Sequence, residues 1–136
     1  MRGRAWIGVV VIGLFALVGA WASAGEEHVL QVTATAYNSL EGQGQGDPTI
    51  AAWGDVLRPG MKVIAVSRDL IPRGLRHGTV VKIDGLPDAY RVMDKLAKRW
   101  TKRIDIYMGE DVAAARKWGK RRVTIRWNSE AAPDGS

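Results

Sequence analysis

The sequence predicts a small, mainly β protein whose strands close into a barrel. Three observations predict it. Six short segments carry alternating or continuous apolar patterns, Gly, Pro and Asp punctuate them at short intervals, and only residues 111–118 carry the capping signals of a helix. A chain of 136 residues suits one domain, and no internal repeat or linker divides it.

Taken from the N-terminus, residues 1–24 read as an export signal rather than part of the fold. Arg2 and Arg4 supply a positive start, and no charged side chain follows until Glu26. Ala22-Ser23-Ala24 is a small-x-small cleavage site, with the cut after Ala24. The uncharged stretch approaches the roughly 20 residues that cross a bilayer, so an uncleaved anchor is the competing reading. On both readings residues 25–136 are expected outside the cytoplasm, in the periplasm or secreted. Membrane contact is expected only through an uncleaved signal. The folded domain is expected over residues 25–128, with a disordered polar tail over 129–136.

The first strand is expected over residues 29–37. Val29, Gln31, Thr33, Thr35 and Tyr37 face one way, and Leu30, Val32, Ala34 and Ala36 the other. Residues 38–48 cannot hold a strand well, because Gly42, Gly44 and Gly46 recur every second residue. They read as a flexible connection or as a flap over a cleft. Further strands are expected over residues 62–66, 79–84, 89–94, 104–107 and 122–127. Leu70-Ile71-Pro72-Arg73-Gly74 reads as a turn, since proline fixes φ and glycine tolerates positive φ. In the one helix, Glu110 and Asp111 sit at the positive end, Arg116 and Lys117 in the last turn, and Gly119 at the C′ position.

Composition then limits function. Hydrophobic residues make up 46% and charged residues 25% of the chain, a globular balance that excludes a disordered acidic tail, a collagen-like repeat and a multi-span membrane protein. The absence of cysteine excludes a disulfide scaffold, a thiol nucleophile, a Cys-based metal site and an acylated lipoprotein. The formal charge is +6. Arg2 and Arg4 account for two of the 20 basic residues, so the exported part keeps 18 against 14 acids, a net +4. Export makes an anionic cell-wall polymer the natural partner of that excess, and nucleic acid is not expected.

The sharpest chemical signal lies in Arg91-Val92-Met93-Asp94 and Arg103-Ile104-Asp105-Ile106-Tyr107. Each places an acid inside or at the end of an apolar strand. Ile104 and Ile106 share one face, so Asp105 and Tyr107 share the other. An acid flanked by branched apolar residues is partly desolvated, which raises its pKa toward the range a general acid needs. The plainer reading is a carboxylate paired with Arg103 or Arg91 on a solvated face. Arg103 is expected to point away from Asp105, and desolvation plus the like charge of Asp94 is expected to outweigh nearby cations.

Thr33-Ala34-Thr35-Ala36-Tyr37, Ala52-Trp53-Gly54-Asp55, Leu57-Arg58-Pro59-Gly60, Ile64-Ala65-Val66, Ile71-Pro72-Arg73-Gly74, Met93-Asp94 and Arg103-Ile104-Asp105-Ile106-Tyr107 together resemble the three-aspartate, or 3D, domain family. The similarity runs over residues 32–127. The spacing between Asp94 and Asp105 is also similar to that in enzymes of the membrane-bound lytic transglycosylase A type. The resemblance implies a six-stranded double-psi β-barrel with one or two short helices, shared with rare-lipoprotein-A-like proteins and expansins. It implies a peptidoglycan or polysaccharide substrate and no cofactor. It further implies that Asp105 is the single acid/base and that Asp94 orients substrate or tunes Asp105. In such enzymes one carboxyl protonates the glycosidic oxygen and then takes a proton from the sugar's C6 hydroxyl, which closes a 1,6-anhydro ring without water. The family pattern puts its first aspartate directly after an Ala-Val pair. Ser67 stands there in this sequence, with Asp69 two residues on, so Asp69 substitutes from beside it or the site is altered. A non-catalytic, expansin-like glycan-binding module is the alternative function.

Around these acids, Lys95, Lys98, Arg99, Lys102 and Arg103 surround Trp100. They read as a solvated loop, or as a rim that steers anionic glycan with Trp100 stacked on a sugar. Tyr37 and Trp53 read equally as core or as lining of the substrate site, with Thr35 beside Tyr37. Trp118 and Trp127 read as core or helix-docking residues. His28 and His77 read as isolated, so no metal site is expected. Asp47, Asp55, Asp84 and Asp88 read as turn residues.

Overall fold

The computed structural model describes residues 25–40, 47 and 49–129. Residues 1–24, expected as an export signal, the glycine-rich residues 41–46 and the expected tail from residue 130 lie outside the described residues. Six strands form: β1 Glu26–Tyr37, β2 Val63–Val66, β3 Val80–Ile83, β4 Ala89–Lys95, β5 Arg103–Tyr107 and β6 Arg121–Ser129. They close into a barrel in the order β1-β5-β2-β4-β3-β6. β1 runs parallel to β5 and β2 parallel to β4, while β2/β5, β3/β4 and β3/β6 are antiparallel. The fold is thus the mainly β, closed six-stranded barrel expected. Parallel neighbours this far apart in sequence need crossing connections rather than hairpins. Between β1 and β2, the described residues 49–62 form a crossing segment that lies against the barrel's outer face at Ala51 and Leu57.

Alternation explains the core. Val32 and Ala34 of β1, Ile64 and Val66 of β2, Ile104 and Ile106 of β5, and Ile125 of β6 are at most 1% exposed and fill the interior. A second, smaller cluster sits outside the barrel wall. Leu57 and Ala51 from the crossing segment pack on Val63 and Tyr107, with Tyr37, Met61 and Met93 at its edge. That cluster pins the crossing segment against β2 and β5. The segment is further tied where Gly109, at φ 57, lies so close to Pro59 that an added Cβ would meet its Cα at 3.0 Å.

Two local differences from the sequence reading have physical causes. Residues 70–74 are not a simple turn but the end of a 3₁₀ helix, Arg68–Arg73. Leu70 and Leu75 both dock fully in the core, so the chain between them winds tightly, and Gly74 at φ 105 donates its amide to the carbonyl of Ile71 at 3.0 Å. β6 also continues to Ser129, where a tail was expected. Ser129 packs beside Gly74, whose missing Cβ leaves it room. Among the described residues one α-helix, α1 Val112–Trp118, forms as expected: Asp111 caps it by accepting from the Ala114 amide at 2.9 Å, and the Gly119 amide closes on Ala115. Its Trp118 donates to the Ala34 carbonyl at 3.3 Å, docking the helix on β1.

Candidate active site on the outer face

The site is a row of side chains running across four neighbouring strands. Thr35 of β1 lies opposite Asp105 of β5, Asp105 opposite Ala65 of β2, and Ala65 opposite Asp94 of β4. The two carboxylates therefore stand two strand spacings apart, about 10 Å at Cα, with only a methyl group between them.

Asp94 reaches this row through a β-bulge. Tyr90 and Val92 point into the core, and strict alternation would send Asp94 after them. The pairing slips between Ile64 and Ala65, so that Ile64 opposes Val92 and Ala65 opposes Asp94. Met93 is the extra residue, and it turns Asp94 onto the outer face, as bulges do beside functional sites. There the carboxylate is held by donors. Oδ1 accepts from the Ala52 amide at 2.8 Å and the Lys95 amide at 2.9 Å, and Oδ2 faces the Tyr37 hydroxyl at 3.4 Å. Tyr37 keeps its proton, because burial first, then Asp94 and Asp105, push its hydroxyl far above the usual tyrosine value.

Asp105 is treated differently. Its Oδ1 accepts one hydrogen bond, from the Thr35 hydroxyl at 2.7 Å. Burial raises its pKa above 3.8; the Thr35 bond and then the Arg103 charge oppose that rise, and Asp94 adds to it. The net direction is upward, as the sequence suggested.

Arg103 corrects the sequence reading. It was expected on the face away from Asp105, but residues two apart on a strand share a face. Its guanidinium donates to Thr35 Oγ1 at 3.2 Å and stacks on Trp100 at 3.9 Å. Arg99 reaches the same ring at 4.9 Å.

Ser67, where the sequence reading expected a first aspartate, is fully buried. Its hydroxyl accepts from the Arg103 amide at 3.0 Å, and its own amide donates to the Arg103 carbonyl at 2.8 Å. Asp69 does not join the row. It accepts from the amide of Lys102 at 3.0 Å, a residue held at φ 44. Ser67 and Asp69 thus fix the start of β5, and with it the aim of Arg103.

Trp53 stands beyond the Asp94 end of the row, next to the Ala52 amide. Lys95 Nζ lies 5.0 Å above its ring, and the His77 ring is tilted against it at 5.1 Å. His77 is not isolated: its Nε2 pairs with Asp55. His28 also has a partner, stacking on Trp127 at 5.1 Å. Asp84 and Asp88 pair with Arg126 and Lys62 across strands. Sequence reasoning put Arg103 on the wrong face and missed the Ala52 amide and Ala65 as members of the site. The two-residue spacing could have found Arg103, whereas the amide and the methyl carry no chemical signature in a sequence.

Fold and site together define a closed six-stranded barrel with two unlike carboxylates in one row on its outer face. Two solved structures resemble it. One is the apo form of an expansin from Clavibacter michiganensis, at 21% identity and a TM-score of 0.46, covering 79% of this chain and 53% of that one. The other is a variant of the same expansin in complex with cellohexaose, at 19% identity and a TM-score of 0.46, covering 80% and 54%. The chain spans about half the length of these expansin chains. No family model matches the sequence, and no curated protein sequence matches it.

Proposed function

We propose that this chain is an exported, cell-envelope enzyme that cleaves the glycan strands of peptidoglycan by lytic transglycosylation. One observation carries the reading. Asp105 is a half-buried carboxyl with a raised pKa, standing in the same row as a second carboxylate that is held by donors. That is the pairing expected when one acid must deliver a proton while its neighbour stays an acceptor.

Protonated Asp105 would give its proton to the leaving glycosidic oxygen. As the oxocarbenium-like centre forms, the new carboxylate would take the proton from the sugar's C6 hydroxyl, and that oxygen would bond to the anomeric carbon. The nucleophile belongs to the substrate, so its effective concentration is high and one protein carboxylate suffices. Asp94, fixed by Ala52 and Lys95, would orient the sugar, and its charge adds to the rise in the Asp105 pKa that burial leads. Lys95 and the arginines around Trp100 would attract an anionic glycan.

The test uses the chain as recovered after export, incubated with purified sacculi, with the soluble products analysed by mass spectrometry. Anhydro-muropeptides are expected, falling by about 10²–10⁴-fold in Asp105→Asn. Ordinary reducing ends would replace this mechanism with hydrolysis. A second reading, a non-catalytic glycan-binding barrel, is favoured by Ser67 at the first-aspartate position, and co-sedimentation with sacculi without released fragments would establish it.

A further inference from the structure

We propose that Arg103 is a positioning residue: acting through the Thr35 hydroxyl, it dictates which oxygen of Asp105 carries the transferable proton. The inference deepens the proposed acid role of Asp105 and rests on it. It follows from the direction of two hydrogen bonds. A guanidinium has donors and no acceptor, whereas a threonine hydroxyl has one proton and two lone pairs. At 3.2 Å from the Arg103 nitrogen, Thr35 Oγ1 can only accept. Its single proton is then free for Asp105 Oδ1, at 2.7 Å. Oδ1 is thereby an acceptor, and a proton held by Asp105 sits on Oδ2.

Without Arg103 the Thr35 rotor can reverse. It would then accept from a proton on Oδ1, and the acid would hold that proton inside the protein instead of offering it to substrate. The structure invests in holding Arg103 still. Its amide and carbonyl are bound by Ser67, the preceding Lys102 amide by Asp69, and its guanidinium plane lies on Trp100. Stacking on an aromatic face with a directed donor is a task for arginine that lysine performs poorly. The arrangement also gives Ser67, Asp69 and Trp100 one shared purpose, although none of them lies in the carboxylate row.

The charged and titratable groups facing Asp105 are Arg103 and Tyr107 on β5, Tyr37 on β1 and Asp94 on β4. β2 contributes Ala65, and Ser67 follows that strand. Removing Arg103 therefore has two effects on Asp105. It deletes a cation, and it releases Thr35. Both raise the Asp105 midpoint, and only the second depends on Thr35.

The experiment follows the carbon-13 resonance of the Asp105 carboxyl against pH in the exported chain, in Arg103→Met, in Thr35→Val and in the double variant. Sacculus solubilisation is measured on the same four proteins. Arg103→Met is expected to move the Asp105 midpoint upward and to slow fragment release about tenfold at saturating sacculi, a fraction of what a general acid contributes. In the Thr35→Val background the same substitution is expected to move the midpoint less. Equal shifts in the two backgrounds, or no shift at all, would overturn the proposal. Arg103→Lys should restore part of the release rate. If Arg103→Met does not fold, Trp100→Leu should move the midpoint the same way by a smaller amount, and an unmoved midpoint would again overturn the role. Should the wild-type chain release no fragments, the enzymatic reading fails while the resonance titration still decides the hydrogen-bond direction.

Discussion

The two ends of the carboxylate row carry the same residue type in opposite settings. Asp94 is met by two backbone amides and a tyrosine hydroxyl. Asp105 is met by one threonine hydroxyl and is pushed upward in pKa chiefly by burial. Donors that converge on an anion favour it, whereas loss of water disfavours it. One strand apart on either side of Ala65, the barrel therefore sets identical side chains in unlike surroundings. What separates them is backbone: the bulge at Met93 brings Asp94 under the Ala52 amide, while regular β5 leaves Asp105 between β1 and β2.

The broadest way to break this comparison is to remove each carboxylate and watch stability, because the two should move in opposite directions. Asp94→Ala strands the Lys95 and Ala52 amides and the Tyr37 hydroxyl, and is expected to cost about 1–3 kcal/mol. Each kcal/mol lowers Tm by about 4–8 °C in a domain of this size. Asp105→Asn is expected to raise Tm at neutral pH, because it deletes a carboxyl whose ionisation is unfavourable in the fold. The sign follows from linkage. The folded pKa of Asp105 lies above 3.8, so between 3.8 and that raised value the folded state binds more protons than the unfolded one. Stability contributed by this group is fully present below 3.8 and is lost as pH rises through the folded pKa. The stability difference between Asp105→Asn and wild type should grow across that window and be flat above it. Thermal melts at a series of pH values measure it, and a difference that shrinks with rising pH would mean that Asp105 is stabilised as an anion.

How far this contrast could be read from the sequence differs by element. The six strands were legible because apolar alternation marks them directly, as Val32/Ala34 and Ile104/Ile106 show. The raised pKa of Asp105 was legible for the same reason, since its two isoleucine neighbours announce a buried strand. The row itself was not. It depends on parallel pairing of strands remote in sequence and on a one-residue slip opposite Ala65, and neither leaves a local pattern. Arg103 shows the reverse: its two-residue spacing from Asp105 was in plain view, but its contact with Thr35 required β1 to lie beside β5. The His77–Asp55 pair and the 3₁₀ winding of Arg68–Arg73 were hidden likewise, because the docking of other elements decides them.

A sharper and smaller test changes only charge. Asp94→Asn keeps an Oδ1 for the Ala52 and Lys95 amides, so the fold should persist. It removes the negative charge that helps to raise Asp105. The alkaline limb of the release rate should therefore move to lower pH, opposite to the shift expected for Arg103→Met. A pH–rate profile of sacculus solubilisation measures both. If the limb stays in place in Asp94→Asn, the two ends of the row are electrostatically independent, and Asp94 serves substrate orientation alone.

The smallest expected effect belongs to Tyr37, which bridges the two settings. Its hydroxyl points at Asp94 from 3.4 Å, a long contact, while its ring sits 5.4 Å from that of Tyr107 and packs at the edge of the outer cluster. Tyr37→Phe keeps the ring and deletes the donor. A hydrogen bond of ordinary strength contributes about 0.5–1.5 kcal/mol, more when its partner is charged, but this one is stretched and Asp94 retains two amides. The stability change is therefore expected at or below about 0.5 kcal/mol. The effect on fragment release should be confined to KM, since the hydroxyl touches the acceptor and not the acid. A fall in kcat at constant KM would instead place Tyr37 with Asp105, and would shift the division between the two ends of the row by one strand.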